Sequence, residues 1–234
     1  GALALVQAYA QFLNCKNPEP NDSCGQCDSC KQMAKWAHPN LSVILPSPNL
    51  KDKTLSKDFL PDFRKFFAEQ PFGELGDWSQ FLEEENKAVG IRVAEAQQLM
   101  RELSLTAFGE GFRIVILWEA HLMNQETANK LLKVFEEPPK DTVFLATSTQ
   151  AHNLLATISS RFQTWPLKLA NSDELSRYLV QEKGMTEVAA LAMIQLKERQ
   201  LNSLSREEEQ SWVKQEFVAW TRACFVSDLT FLVP

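Results

Sequence analysis

Four of the chain's five cysteines lie within one short stretch, CKNPEPNDSCGQCDSC. They have the spacing C-x8-C-x2-C-x2-C and are Cys15, Cys24, Cys27 and Cys30. Thiolates crowded in this way suit convergence on one ion better than pairing as disulfides. Four thiolates complete the tetrahedral shell of Zn²⁺ and leave no position for water, so we predict a structural zinc module in a protein of the reducing cytosol. Because C-x2-C-x2-C is tighter than the usual zinc knuckles, an iron–sulfur cluster is the alternative.

A second candidate site follows the apolar segment Arg113–Leu117 (RIVIL), which we predict to be a buried strand. A nucleotide hydrolase built on strand–helix units places two acids here: one holds Mg²⁺ and the next orients the attacking water. Trp118 occupies the first of these positions, and an indole cannot hold the metal. We therefore interpret Glu119 as a surface carboxylate and His121 as a local hydrogen-bonding residue.

The third candidate is Arg161, which follows Ser159 and Ser160. An arginine fixed between a helix and a strand can present its planar guanidinium to phosphate oxygens. Taken alone, this pattern does not distinguish a phosphate-binding arginine from one that forms a surface salt bridge.

The elements that must position these residues alternate between strands and helices. Apolar, β-branched runs predict strands at 41–45, 113–117, 142–146 and 162–167, and helical spacing predicts helices at 3–13, 31–36, 56–67, 93–103 and 125–137. This alternation predicts an α/β fold with a mostly parallel, doubly wound sheet. Ligands of such sheets bind at the carboxyl ends of the strands, which lie here near Pro46, Trp118 and Thr147.

The segment 49–90 and the residues after Leu167 are predicted to be helical. We interpret 49–90 as an insertion packed on the outside of the core, with a partner-binding surface as the alternative; Ser56 is its predicted helix cap. Helices are predicted at 172–183, 186–197 and 211–226, the first capped by Ser172. In the second of these, the side chains predicted to be available for burial are those of Val188, Ala189, Leu191, Ala192 and Ile194.

Composition narrows the classes of function. The formal net charge is −6, which argues against a high-affinity DNA-binding protein acting alone. Hydrophobic residues make up 44% of the chain and charged residues 23%, as in ordinary globular proteins. No apolar run approaches the roughly 20 residues of a membrane span, so we expect no membrane partner.

Together these residues resemble the bacterial DNA polymerase III clamp-loader family. The motifs are C-x8-CGQCDSC, NKLLKVFEEPP at Asn129–Pro139, FLATS and ISSRF. The resemblance implies an AAA+ (P-loop-type) α/β domain at 1–167, with the zinc module at 15–30 and an extra helical insertion at 49–90. It further implies a small helical lid domain at 168–204 and the start of a helical collar domain at 205–234.

The departures from the family pattern concern its ATP site. Counting back from Cys15, Gly1 falls on the last glycine of the phosphate-binding loop, Ala2 on its lysine and Leu3 on its hydroxyl residue. A methyl group cannot hold phosphates, and leucine cannot ligate Mg²⁺. Trp118 replaces the metal-holding aspartate beside Glu119. The resemblance therefore implies a degenerate nucleotide site and a non-ATPase subunit of the delta-prime type, with no bound nucleotide expected.

Arg161 matches the arginine of the family's Ser-Arg-Cys motif, with Phe162 in place of the cysteine. The resemblance implies that this arginine reaches into the ATP site of a neighbouring subunit as an arginine finger and that Ser160 positions it. Ser148 and Thr149 match the region of the family's polar nucleotide sensor. The chain would then be no enzyme by itself, but a component of the DNA polymerase III holoenzyme, a nucleotidyltransferase.

The resemblance also implies partners and a location. The partners are the gamma/tau and delta subunits of the clamp loader, with primer–template DNA and the sliding clamp in the assembled complex, at a bacterial cytoplasmic, nucleoid-associated replisome. Two alternatives stay open. One is a gamma/tau-type clamp-loader ATPase, and the other is a zinc-stabilised nucleic-acid-binding module.

Overall fold

The computed structural model describes residues 1–50, 53–83, 87–105, 111–167, 171–181, 184–192 and 194–195. The chain divides into two compact units, at residues 1–166 and from 167 onward. The predicted helix at 211–226 and the predicted collar at 205–234 lie outside the described residues.

The first unit is built on a parallel sheet of three strands: β1 (Leu41–Ile44), β2 (Arg113–Leu117) and β3 (Thr142–Ala146). Strand β2 is central and pairs with both neighbours in parallel, so that Ile116 lies opposite Val43 on one side and Leu145 on the other. Parallel pairing requires crossover connections, which the intervening helices supply. The predicted mixed α/β fold with a parallel sheet is confirmed for these strands.

Seven α-helices accompany the sheet in the described part of the first unit: α1 (Ala2–Leu13), α2 (Asp28–Ala34), α3 (Ser56–Glu69), α4 (Leu75–Phe81), α5 (Val93–Ser104), α6 (Gln125–Glu136) and α7 (Ala156–Ser159). An eighth, α8 (Ser172–Gln181), belongs to the second unit. Helix α6 shows how local sequence sets these bounds. The side chain of Asn124 accepts a hydrogen bond from the backbone N–H of Thr127 at 2.8 Å, which caps the first turn. Pro138 follows within two residues of the helix end and cannot continue it. Among the described helices, none has the length and apolar character that a bilayer crossing requires.

The two faces of the sheet are covered by different helices. On one face, α5, α6 and α7 bury aliphatic side chains such as Leu99 and Leu131. On the other face, an aromatic cluster forms around β2 and contains Phe59, Phe63, Phe66, Phe67, Trp36, Trp78 and Trp118. The prediction that segment 49–90 packs outside the core is therefore wrong for its described part, because α3 and α4 supply five of these seven side chains.

Ser56 does not cap α3 as predicted. The carboxylate of Asp58 caps this helix instead, by accepting hydrogen bonds from the N–H groups of Leu55 and Thr54 at 3.0 and 3.1 Å. Ser56 is buried, and its Oγ lies 2.8 Å from the N–H of Leu45 and 2.8 Å from Oε1 of Glu95. Burial raises the pKa of the Glu95 carboxyl above its ordinary value, although the hydrogen bonds from Ser56 act in the opposite direction.

The predicted strand at 162–167 is wrong, since these residues form no strand. Phe162 turns toward the core, with its ring centroid 5.1 Å from that of Phe135. The residues beyond it do not face the core, and Trp165 is 64% exposed. Pro166 also lacks the N–H that a sheet ladder needs. One further boundary differs from prediction, because α2 begins at Asp28 and not at 31.

The described part of the second unit contains α8 and a helical stretch at 187–192. Asn171, not Ser172, caps α8: its Oδ1 accepts from the N–H of Glu174 at 2.8 Å, and its own N–H donates to the carboxylate of Glu174. This reciprocal pair is a capping box. Ile194 is buried as predicted, but the other four side chains predicted to be available for burial are exposed, namely those of Val188, Ala189, Leu191 and Ala192.

Candidate functional site

The four predicted cysteine ligands converge. The Sγ atoms of Cys15, Cys24, Cys27 and Cys30 all lie within 4.8 Å of one another, and those of Cys24 and Cys30 are 3.9 Å apart. A tetrahedral zinc ion with Zn–S bonds of about 2.3 Å requires sulfurs about 3.8 Å apart. The donor set and its spacing therefore fit a closed, four-coordinate metal site without an open position for substrate.

The ends of two helices hold these sulfurs. Cys15 follows the end of α1, Cys27 is the N-cap of α2, and Cys30 lies in the first turn of α2. Backbone N–H groups point at three of the sulfurs, at 3.3 Å for Cys15, 3.4 Å for Cys24 and 3.5 Å for Cys27. Gly25, at φ +65°, supplies the left-handed turn between them. Such N–H···S hydrogen bonds orient metal-binding thiolates.

The two helices are also linked to each other. The side-chain amide of Gln7 on α1 donates hydrogen bonds to the carbonyl groups of Met33 and Ala34, at 3.2 and 3.0 Å, at the end of α2. The amide of Gln11 donates to Oγ of Ser23 at 2.7 Å, inside the cysteine loop. The loop is therefore fastened to α1 by hydrogen bonds as well as by Cys15.

The thiols differ in acidity. Backbone N–H groups, first that of Lys16 and then that of Cys30, lower the pKa of Cys27 to about 6. Backbone N–H groups, first that of Cys27, also lower the pKa of Cys24. Burial raises the pKa of Cys30 to about 12. Metal binding needs thiolates, and the loop already favours those of Cys24 and Cys27, whereas the charge of a bound ion would have to stabilise the thiolate of Cys30.

At the predicted nucleotide site, apolar side chains fill the space around two key positions. Trp118 is 2% exposed, and its ring centroid lies 5.7 Å from that of Phe63 and 6.2 Å from that of Trp78. Leu3, on the first turn of α1, is buried in the same aromatic cluster. Gly1 and Ala2 stand at the beginning of α1 and carry no polar side chain.

Glu119 is not the surface carboxylate that the sequence predicts. It is 4% exposed, and its Oε2 accepts hydrogen bonds from the N–H and the Oγ1 of Thr149, both at 2.8 Å. Its own N–H donates to Oγ1 of Thr147 at 3.2 Å, and its backbone is left-handed, at φ +52°. Nδ1 of His121 lies 3.3 Å from Oε2 of Glu119 and 3.1 Å from Oγ of Ser148. The prediction that His121 makes local hydrogen bonds is confirmed.

Arg161 forms an ion pair within the chain. Its Nε donates to Oε1 of Glu136 at 2.9 Å, and its Nη2 contacts the same oxygen. Its Nη1 donates to the carbonyl of Thr157 at 2.5 Å and lies 3.4 Å from Oγ of Ser160. Sequence reasoning missed Glu136 and Thr157, although Glu136 lies within the NKLLKVFEEPP motif.

These residues form three groups. The cysteines lie between α1 and α2, and Arg161 lies with Glu136 and α7. The strand-end group joins Glu119 at the end of β2 to Thr147 and Thr149 at the end of β3. The signal for this third group was visible as the polar run Thr147–Thr149, directly after an apolar strand.

A family model described as "DNA polymerase III, delta subunit" matches residues 1–171. The DNA polymerase III subunit delta' of Pseudomonas aeruginosa is 31% identical over 198 residues, which cover 82% of this chain and 49% of that protein. The subunit delta' of Escherichia coli K12 is 25% identical over 193 residues, covering 82% and 46%. The DNA polymerase III subunit gamma of Buchnera aphidicola is 21% identical over 179 residues, covering 76% and 38%.

The chain spans about half the length of the delta' subunits it matches. The family match covers residues 1–171 of 234, and the two delta' relatives are 31% and 25% identical to the chain. The chain therefore belongs to the clamp-loader family of DNA polymerase III and is most like the delta-prime subunits of that family.

Proposed function

We propose that this chain acts as a non-ATPase, delta-prime-type subunit of a clamp loader, which helps to load the sliding clamp on DNA during replication. Its partners in this role are gamma/tau and delta subunits, with primer–template DNA and the clamp in the assembled complex, in the bacterial cytoplasm. The observation that carries the proposal is the burial of Leu3 and Trp118 in one apolar cluster. These are the positions at which the family's ATPase subunits need a hydroxyl and a metal-holding carboxylate.

The same observation argues against hydrolysis at the chain's own site. Mg²⁺ needs oxygen ligands, and phosphates need cationic or N–H donors. Leu3 and Trp118 offer neither, and Ala2 offers no ammonium group. Glu119 remains as a carboxylate, but its Oε2 already accepts two hydrogen bonds from Thr149. It therefore serves to join the ends of β2 and β3 and not to activate water.

Arg161 is proposed to act in trans as an arginine finger, with Ser160 positioning it. A finger supplied by a partner is worth about 10³–10⁵ in the hydrolysis rate of nucleotide hydrolases. The test is Arg161→Ala in the full-length subunit, assembled with its partners and assayed for DNA- and clamp-stimulated ATP hydrolysis. We expect the rate at the neighbouring site to fall while the complex stays assembled. Arg101→Ala, which removes an exposed arginine from α5, is the matched control and should leave the rate unchanged.

An unchanged rate with Arg161→Ala would remove the finger role. The second candidate function, a gamma/tau-type ATPase, is kept because a gamma subunit is among the relatives. It predicts tight Mg·ATP binding and hydrolysis by the isolated protein, whereas our proposal predicts no hydrolysis. A direct titration with Mg·ATP, together with an assay of ATP hydrolysis by the isolated protein, decides between them.

We further propose that the cysteine cluster holds one structural Zn²⁺. The support is the fit of four convergent sulfurs to a tetrahedral shell. Elemental analysis of the purified protein should give one zinc per chain and no iron. Iron together with acid-labile sulfide would instead identify the iron–sulfur alternative.

A further inference from the structure

We propose that Glu136 is a positioning residue for Arg161, holding the guanidinium in the orientation from which it reaches a phosphate of the neighbouring subunit. This inference rests on the proposed finger role of Arg161. It assigns a role to Glu136, the first glutamate of the NKLLKVFEEPP motif, which has no role in the function proposed above.

The contacts fix the guanidinium along one edge. Oε1 of Glu136, the last residue of α6, accepts from Nε at 2.9 Å and also contacts Nη2. These two nitrogens form the lateral edge of the guanidinium, so one carboxylate oxygen sets the direction of the group. The carbonyl of Thr157, at the start of α7, accepts from Nη1 at 2.5 Å on the other side. Two helices therefore hold one side chain.

The backbones of Glu136 and Arg161 are both anchored by neighbouring aromatic side chains. Phe135 and Phe162, the immediate chain neighbours of Glu136 and Arg161, pack edge to face with ring centroids 5.1 Å apart. The ring of Phe135 also packs against Phe144 of β3, at 5.0 Å. Because both backbones are anchored in the core, the ion pair has little freedom to rearrange, and a preorganised donor loses less entropy when it meets its ligand.

The guanidinium keeps capacity for a further anion. It carries five N–H groups, and the contacts to Glu136, Thr157 and Ser160 use only part of them. The Arg161 side chain is 26% exposed, so its remaining edge is accessible to a partner. The Glu136 side chain is 49% exposed, so solvent screens the repulsion between its charge and an incoming phosphate. Arg161 can therefore keep its ion pair with Glu136 while it contacts a phosphate.

The test uses the full-length subunit in the reconstituted clamp loader and measures the rate of ATP hydrolysis in a single turnover. Displacing a reacting group by 1 Å can cost about 10²-fold in rate, so we expect Glu136→Ala to lower the rate by about 5- to 100-fold, and by less than Arg161→Ala. Glu136→Gln keeps an oxygen acceptor at the same place and should retain more activity than the alanine variant. Glu137→Gln removes the next carboxylate along the chain and should have no effect.

A double-mutant cycle separates positioning from a general structural effect. Once Arg161 is alanine, Glu136→Ala should lower the rate no further, because the group that it orients is gone. The Glu136→Gln subunit should assemble into the clamp loader as the unmodified subunit does, and size-exclusion chromatography measures this assembly. Loss of assembly in this isosteric variant would overturn the inference in favour of a structural role.

The remaining outcomes are equally distinct. If Arg161→Ala itself leaves the rate unchanged, the proposed function fails. If Arg161→Ala lowers the rate but Glu136→Ala does not, the finger role stands and this inference is wrong. A higher rate with Glu136→Ala would mean that the carboxylate competes with phosphate for the arginine, which also overturns the inference.

Discussion

Replacing Trp118 by aspartate would restore the residue type that the family's ATPase subunits carry at this position, and we expect it to unfold the domain rather than to create a metal site. Trp118 is 2% exposed and lies among aromatic rings from α3 and α4. Its centroid distances are 5.7 Å to Phe63, 6.4 Å to Phe66 and 6.2 Å to Trp78. Aspartate would leave a cavity there and place a charge in it.

The magnitude follows from these two effects. Truncation of a buried tryptophan to alanine costs about 3–5 kcal/mol in the free energy of unfolding. A buried carboxylate without a partner adds further desolvation cost, of about 1–3 kcal/mol or more even when it takes up a proton. The sum, about 4–8 kcal/mol for Trp118→Asp, is comparable with the whole stability of a typical domain, which is about 5–15 kcal/mol. Trp118→Phe keeps an aromatic ring and should cost less than Trp118→Ala.

The assay is urea denaturation of the protein at constant zinc concentration, with far-ultraviolet circular dichroism as the signal that monitors unfolding. Trp165→Ala is the matched control, because Trp165 is 64% exposed and should cost below about 1 kcal/mol. A cooperative transition for Trp118→Asp with a loss below about 2 kcal/mol would refute the reasoning. So would Mg·ATP binding by that variant, since the aromatic cluster would then be able to open into a nucleotide site.

Three further predictions concern other parts of the fold. Cys30→Ser, or prolonged treatment with a strong chelator, should lower the melting temperature and release the metal proposed for the cysteine cluster, as measured by calorimetry and metal analysis. Glu95→Gln should raise the free energy of unfolding at pH 7 and flatten its pH dependence. The reason is that a carboxyl with a raised folded-state pKa binds its proton more tightly in the folded protein, so stability falls as pH rises from the ordinary pKa near 4.5 through the folded value; an unchanged pH profile would contradict this. Asn124→Ala should cost about 1 kcal/mol in urea denaturation through loss of the α6 cap, and a cost near zero would show that the cap is dispensable.

Features set by neighbouring residues were predictable from the sequence. The three parallel strands follow from short apolar, β-branched runs, and α6 ends near Pro138 as predicted. The convergence of the four cysteines was predictable from their spacing, because the short segments between them keep the thiols close together. In these cases the residues that decide the structure lie within a few positions of one another.

Features set by distant residues were not predictable in the same way. The partners of buried Glu119 lie 28 and 30 residues further along the chain: Thr147 accepts from its N–H, and Thr149 donates to its carboxylate. The aromatic spacing of α3 indicated an apolar face, but not that Trp118 would complete the cluster. Arg161 gave a signal of its own, whereas its partner Glu136 could be identified only when α6 and α7 were placed side by side.

The hydrogen bonds from Gln7 to the end of α2 have a consequence for local unfolding. Cys27 caps α2 at its beginning, and Gln7 holds the same helix at its end. Opening of the cysteine loop would therefore remove the cap at the beginning of α2, and only the hydrogen bonds from Gln7 would then hold α2 to α1. Helix α1 also carries Leu3 into the aromatic cluster. Local unfolding of α1 is therefore thermodynamically linked to the metal affinity of the cysteines, although Leu3 itself is not one of the ligands.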